Sequence, residues 1–305
     1  MKKSLPVAVV LAFSCAAPSW AHEPPLHVVA SFSVLGDMVR NVGGDLIDVK
    51  TLVGANGDAH GYQPTPDDLK AVAKADLVFV NGLGIDGWMD RLVDAAGYKG
   101  TIIVATTGIK TRTMVEGDDK AAPKTVTDPH AWQDLSNGVI YAHNIAVGLA
   151  AALPTQSKVI EERSHEYENA ITAMDQEVRA SIAAVPVAER VVITSHDAFG
   201  YFGAAYGVRF FAPYGLSTES EPSAAGIAGL IDQIKVAGVH EVFIENMSNP
   251  RLVAQLAKDA GAQLGGTLYS DALSAPNEAA PSYLAMFKNN VPKLKAAMLA
   301  THAVQ

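Results

Sequence analysis

Nine histidines and 32 carboxylates, but a single cysteine, decide what kind of metal chemistry this 305-residue sequence can support. One thiol makes neither an intramolecular disulfide nor a thiolate-rich zinc or iron–sulfur site, so a metal centre here must be built from imidazole and carboxylate. Four residues stand where such donors would be useful. His60 lies in Gly57-Asp58-Ala59-His60-Gly61-Tyr62-Gln63-Pro64-Thr65-Pro66, a loop in which glycines flank the ring and prolines stiffen the chain that follows. His130 lies in Asp128-Pro129-His130-Ala131-Trp132, directly before a helical stretch. His196 follows a β-branched run in Thr194-Ser195-His196-Asp197, and Asp271 follows another in Tyr269-Ser270-Asp271-Ala272-Leu273. Alone, each reads as a hydrogen-bonded loop residue. Together, three neutral imidazoles and one carboxylate complete a four-coordinate shell for a borderline divalent ion such as zinc.

These four must be brought together by the elements between them. Short β-branched runs (Val28-Val29, Val49 to Val53, Leu77 to Val80, Ile102-Ile103-Val104) alternate with helical patterns, and Val191 to Thr194, Val208 to Phe211, Glu241 to Ile244 and Gly266 to Tyr269 repeat the arrangement. Such alternation predicts parallel sheets covered on both faces. Open sheets of this kind bind ligands beyond the C-terminal ends of their strands, where all four candidates fall. The halves correspond further: Ala30 to Asp37 matches Thr194 to Tyr201, each expected to open a helix after a lobe's first strand. Thr65-Pro66-Asp67-Asp68 begins one helix as Glu221-Pro222-Ser223 begins its counterpart. Between Pro154 and Pro186 there is neither Gly nor Pro, and Ile160, Tyr167, Ile171, Met174, Val178 and Ile182 recur at helical spacing. A helix of that length reaches about 45 Å, enough to run along both lobes. The expected fold is α/β: two similar lobes, each a four-stranded parallel sheet flanked by helices, joined by one long rigid helix.

The first residues read as an export leader. Lys2 and Lys3 precede an apolar run from Leu5 to Ala17, too short for the roughly 20 residues that span a bilayer, and Ser19 and Ala21 are small at the −3 and −1 positions. Cleavage after Ala21 is expected, giving a soluble periplasmic protein; a lipid anchor at Cys15 is the less favoured route, since Ala12-Phe13-Ser14 does not suit one. The divisions are then 1–21 signal peptide, 22–153 N-terminal lobe, 154–186 linking helix and 187–305 C-terminal lobe. Removal of the leader takes the net charge from −9 to −11, which argues against nucleic acid or an anionic membrane as partner.

The four motifs, in this order and over essentially the whole mature chain, resemble the metal-binding solute-binding proteins of ABC transporters, the ZnuA and TroA-like group. The resemblance implies that His60 and His130 are ligands from the first lobe, that His196 and Asp271 come from the second, and that the ion lies in the cleft between them. It implies a monomer that captures zinc as cargo and docks on a membrane permease, and through it on an ATPase. Manganese-selective relatives place Glu where this chain has His196, and exchanging carboxylate for imidazole favours zinc over manganese. The stretch from Lys110 to Thr127 lacks the long His-rich loop of many zinc-specific relatives, which keeps manganese, or a broader range of divalent ions, as the alternative cargo. A zinc hydrolase is disfavoured by the filled shell and the absence of His-Glu-x-x-His, so no enzymatic activity is expected. The remaining histidines, His22, His27, His143, His165, His240 and His302, read as exposed or satisfied, Trp88 and Trp132 as core anchors, and Glu245-Asn246 as a brace for the helix that follows, with support of a metal ligand as the alternative.

Overall fold

The computed structural model describes residues 24–116, 124–212, 224–239, 241–248 and 250–300. The leader with Cys15, His22, His240, His302 and the expected helix start at Glu221-Pro222-Ser223 lie outside these residues.

The first lobe is built from β1 (Leu26–Phe32), α1 (Ser33–Gly43), β2 (Ile47–Val53), α2 (Pro66–Lys74), β3 (Leu77–Val80), α3 (Trp88–Ala96) and β4 (Thr101–Val104). A hairpin of β5 (Thr113–Glu116) and β6 (Lys124–Thr127) follows, then α4 (Leu135–Ala152) and α5 (Ser157–Ala183). The second lobe contains β7 (Val191–Ile193), α6 (Gly200–Tyr206), β8 (Arg209–Phe211), α7 (Ala224–Ala237), β9 (Glu241–Glu245), α8 (Pro250–Ala260), β10 (Gln263–Leu268) and α9 (Tyr283–Ala300). The sheets run β2-β1-β3-β4 and β10-β9-β7-β8. Numbered within its own lobe, each reads 2-1-3-4, and every pairing in both is parallel. All the connections of the four donors are thereby returned to one end of each sheet.

Helix α5 has 27 residues, about 40 Å of rise. It buries Ile160, Tyr167, Ile171, Met174, Val178 and Ile182 and packs on α1, α4, α6 and α9. Arg163 ties it to the first lobe by donating to the Gly43 carbonyl (2.7 Å) and to Asp45; Arg179 ties it to the second by donating to the Ala205 carbonyl (3.0 Å). Among the described residues no helix is long and apolar enough to cross a membrane.

Strands β5 and β6 pair antiparallel from Thr113↔Thr127 to Glu116↔Lys124. One local expectation is corrected: the second lobe does not enter a helix directly after its first strand, as the first lobe does at Ser33. Residues 194–199 stay irregular because the His196 carbonyl is engaged locally, accepting from Thr194 Oγ1 and from the Ala198 N–H. Helix α6 starts only at Gly200.

Candidate metal centre

The structure brings His60, His130, His196 and Asp271 together, with one donor atom from each lying within 4.8 Å of all the others. His60 Nε2 is 3.2 Å from both His130 Nε2 and Asp271 Oδ2, and His196 Nε2 is 2.9 Å from Asp271 Oδ2. Asp271 Oδ1 is 3.6 Å from His130 Nε2 and, although buried, has no hydrogen-bond partner. The side chains of His130, His196 and Asp271 are wholly buried, and that of His60 nearly so. A carboxylate with an unsatisfied oxygen, enclosed by three imidazoles, is costly in a dry site unless a cation neutralises it.

Each donor is aimed by its surroundings. In the His60 loop, the His60 N–H donates to Asp58 Oδ1, and the Trp88 indole N–H donates to the Ala59 carbonyl (2.9 Å). The loop's far end is fixed by a capping box at the start of α2: the Asp68 N–H donates to Thr65 Oγ1, and Asp68 Oδ2 accepts from the Thr65 N–H, the Thr65 hydroxyl and the Tyr62 hydroxyl. Thr65→Ala is expected to destabilise the protein by about 1 kcal/mol, seen as a lower urea midpoint at unchanged m.

His130 is oriented by Asp128, whose Oδ1 accepts from its backbone N–H (3.0 Å) and lies 2.8 Å from its Nδ1, leaving Nε2 to face the other donors. His196 is treated in parallel: Glu245 Oε1 accepts from its N–H (2.9 Å), and Oε2 lies 2.7 Å from Nδ1. Such carboxylates fix a ligand ring and raise its basicity. Burial by itself pushes the His130 pKa down, but Asp271 and Asp128 outweigh it and hold it at about 9. His196 is likewise held well above its ordinary value by Glu245 and Asp271 against its burial. Asp271 is held well below the usual carboxylate range because His196 and His130 overcome its desolvation.

The Asp271 loop is anchored to the first lobe. The Trp132 indole and the Gln133 amide both donate to the Ser270 carbonyl (2.9 and 3.1 Å), the Leu273 N–H donates to Ser33 Oγ, and the Asn56 N–H donates to the Leu273 carbonyl. Asn56 makes that bond from the left-handed region, at φ 56°, with its side chain held by Asn246 and Glu278.

Trp88 and Trp132 are core residues, as their type suggested, and each also holds a carbonyl next to a donor. Glu245, read from the sequence as a brace for the following helix or as support for a metal ligand, turns its carboxylate to His196. Asp128 was missed, although a carboxylate two residues before a histidine, across a proline, is a readable signal. The bystander histidines His27, His143 and His165 are exposed.

Two α/β lobes held by one helix, with convergent donors for a cation buried between them, define a solute-binding protein that captures a metal ion. The chain belongs to the family described as zinc-uptake complex component A, periplasmic (ZnuA), whose model matches residues 28–297; it is a metal-binding substrate-binding protein of an ABC transporter and not an enzyme. It is 30% identical over 291 residues to the manganese ABC transporter substrate-binding lipoprotein PsaA of Streptococcus pneumoniae, covering 93% of each chain. It is 30% identical over 295 residues to the iron ABC transporter substrate-binding lipoprotein MtsA of Streptococcus pyogenes serotype M1, covering 95% of this chain and 94% of that one. Among solved structures it is similar to the periplasmic zinc binding protein TroA from Treponema pallidum, with a TM-score of 0.83 and 27% identity over 90% of this chain and 99% of that one.

Proposed function

We propose that this chain captures zinc outside the cytoplasm through His60, His130, His196 and Asp271 and delivers it to a membrane permease driven by an ATPase. The observation that carries this reading is the donor set: three imidazoles and one carboxylate converge on one point, two of the rings backed by Asp128 and Glu245. Neutral imidazoles favour zinc over manganese and iron, which stand low in the Irving–Williams order. The buried, fully occupied shell suits capture and release rather than hydrolysis, which needs an open position for water.

The names of the relatives give manganese its place as the second reading, since PsaA is named for manganese and MtsA for iron. Native mass spectrometry of metal-stripped protein offered equal zinc and manganese decides between them. One zinc per chain, with manganese adducts absent, is the expected outcome; a predominant manganese adduct sinks the zinc assignment.

We propose further that residues 1–21 direct export and are removed after Ala21, that the divisions at 22–153, 154–186 and 187–305 act as lobe, spine and lobe, and that the carrier is a monomer. The lipoprotein names of PsaA and MtsA support a lipid anchor at Cys15 as the alternative mode of retention.

A further inference from the structure

We propose that Arg112 is a positioning residue for His130, seated by the second lobe so that contact between the lobes is transmitted to the metal donors. The inference rests on the site proposed above. Asp128 is buried and spends one oxygen on His130; its other oxygen, Oδ2, lies 3.6 Å from Arg112 Nε. Arg112 thus sits on the side of the carboxylate that faces away from the ring, where it holds the group in the orientation that keeps Oδ1 on Nδ1.

What places Arg112 there belongs to the other lobe. The Arg112 backbone N–H donates to the Tyr201 hydroxyl (3.2 Å), and that hydroxyl donates to the Asp128 carbonyl (3.2 Å). The guanidinium carbon lies 5.6 Å from the centre of the Tyr201 ring, a cation–π distance. Gly200, the first residue of α6, supports the guanidinium from below: a Cβ added there would sit 2.1 Å from Arg112 Nη1 and 2.6 Å from Asp128 Oδ2. Only a residue without a side chain allows α6 this close to the pair. Among the described residues Arg112 Nη1 is buried without a hydrogen-bond partner, and the contacts that locate the guanidinium are the Tyr201 ring and the Asp128 carboxylate. Parting of the lobes takes Gly200 and Tyr201 away, releases Arg112 from Asp128, and loosens the ring of His130.

The test is the rate at which a chelator captures zinc from the loaded protein. Arg112→Ala is expected to release zinc about tenfold faster, at the lower edge of what removing a partner behind a ligand costs. Arg112→Lys, which keeps the charge but not the planar stacking surface, should fall in between. Gly200→Ala leaves the arginine in the chain but displaces it, and should speed release at least as much as Arg112→Ala. Thermal melting of the metal-free variants checks folding, and the visible absorption of cobalt-loaded Arg112→Ala should differ from wild type while that of the exposed control Lys158→Ala does not. Release within about twofold of wild type in both Arg112→Ala and Gly200→Ala overturns the proposal. A wild-type protein that retains no zinc overturns the site reading instead.

Discussion

Alanine at position 196 is expected to lower zinc affinity by about a thousandfold, because outer partners alone are worth 10- to 100-fold and this change removes the donor itself. The substitution also leaves Glu245 and Asp271 buried without the imidazole that lies 2.7 and 2.9 Å from them. Glu245→Gln keeps the shape but weakens the support behind Nδ1, and should cost about tenfold to a hundredfold. His196→Glu restores a donor of the harder kind, and is expected to recover manganese binding more than zinc binding. His165→Ala, at an exposed position on α5, should match wild type. Calorimetric titration of metal-stripped protein measures all four. Should His196→Ala and His165→Ala bind zinc equally, the assignment of the site is lost.

Zinc uptake should be coupled to release of about two protons per ion at pH 7.5, because metal binding requires unprotonated imidazoles and two of them hold their protons in the empty site. Asp271 and Asp128 hold His130 at about 9, and Glu245 and Asp271 hold His196 well above its usual value. The metal-free form therefore binds more protons than the loaded form, and affinity must rise with pH until those groups are free. Affinity should therefore begin to fall as pH drops below about 9, well above the point near 6.5 that an unperturbed histidine sets. Calorimetry in buffers of different ionisation enthalpy reads the proton number directly. A count near zero, with affinity flat between pH 6.5 and 9, contradicts it. The stability of the metal-free protein carries the matching sign: His130, raised on folding, contributes fully below its unfolded value near 6.5 and loses that contribution as pH rises through about 9. Asp271, lowered on folding, contributes above its unfolded value near 3.8 and loses its share in acid.

Most of the architecture was legible because strand and helix periods, Gly and Pro placement and the gap-free spine are local signals. Thr65-Pro66-Asp67-Asp68 announces its capping box in four letters, and the structure carries it out. The donors were visible because histidine and aspartate after strands in an α/β pattern are few. What could not be read depends on contacts between distant residues. Glu245 ends β9 and meets His196 only because β7 and β9 are neighbours in the sheet. The late start of α6 follows from bonds at the His196 carbonyl, which accepts from Thr194 Oγ1 and the Ala198 N–H where a helix starting there would have it accept from Gly200. Arg112 is one charge in an unremarkable stretch until the hairpin sets it against Tyr201 from the other half of the chain.

The apolar interior is divided unevenly. One continuous core takes in the first lobe, α5, much of α9 and one face of the second sheet, with Val192 and Phe243 pointing into it. The other face of that sheet, through Val191, Ile193 and Val242, joins residues of α7 and α8 in a cluster that is separate among the described residues. Adjacent residues of β7 thus belong to different cores because strand side chains alternate. The strand that leads to His196 therefore carries side chains of both cores, so a substitution in either one is felt at the end of the same short strand.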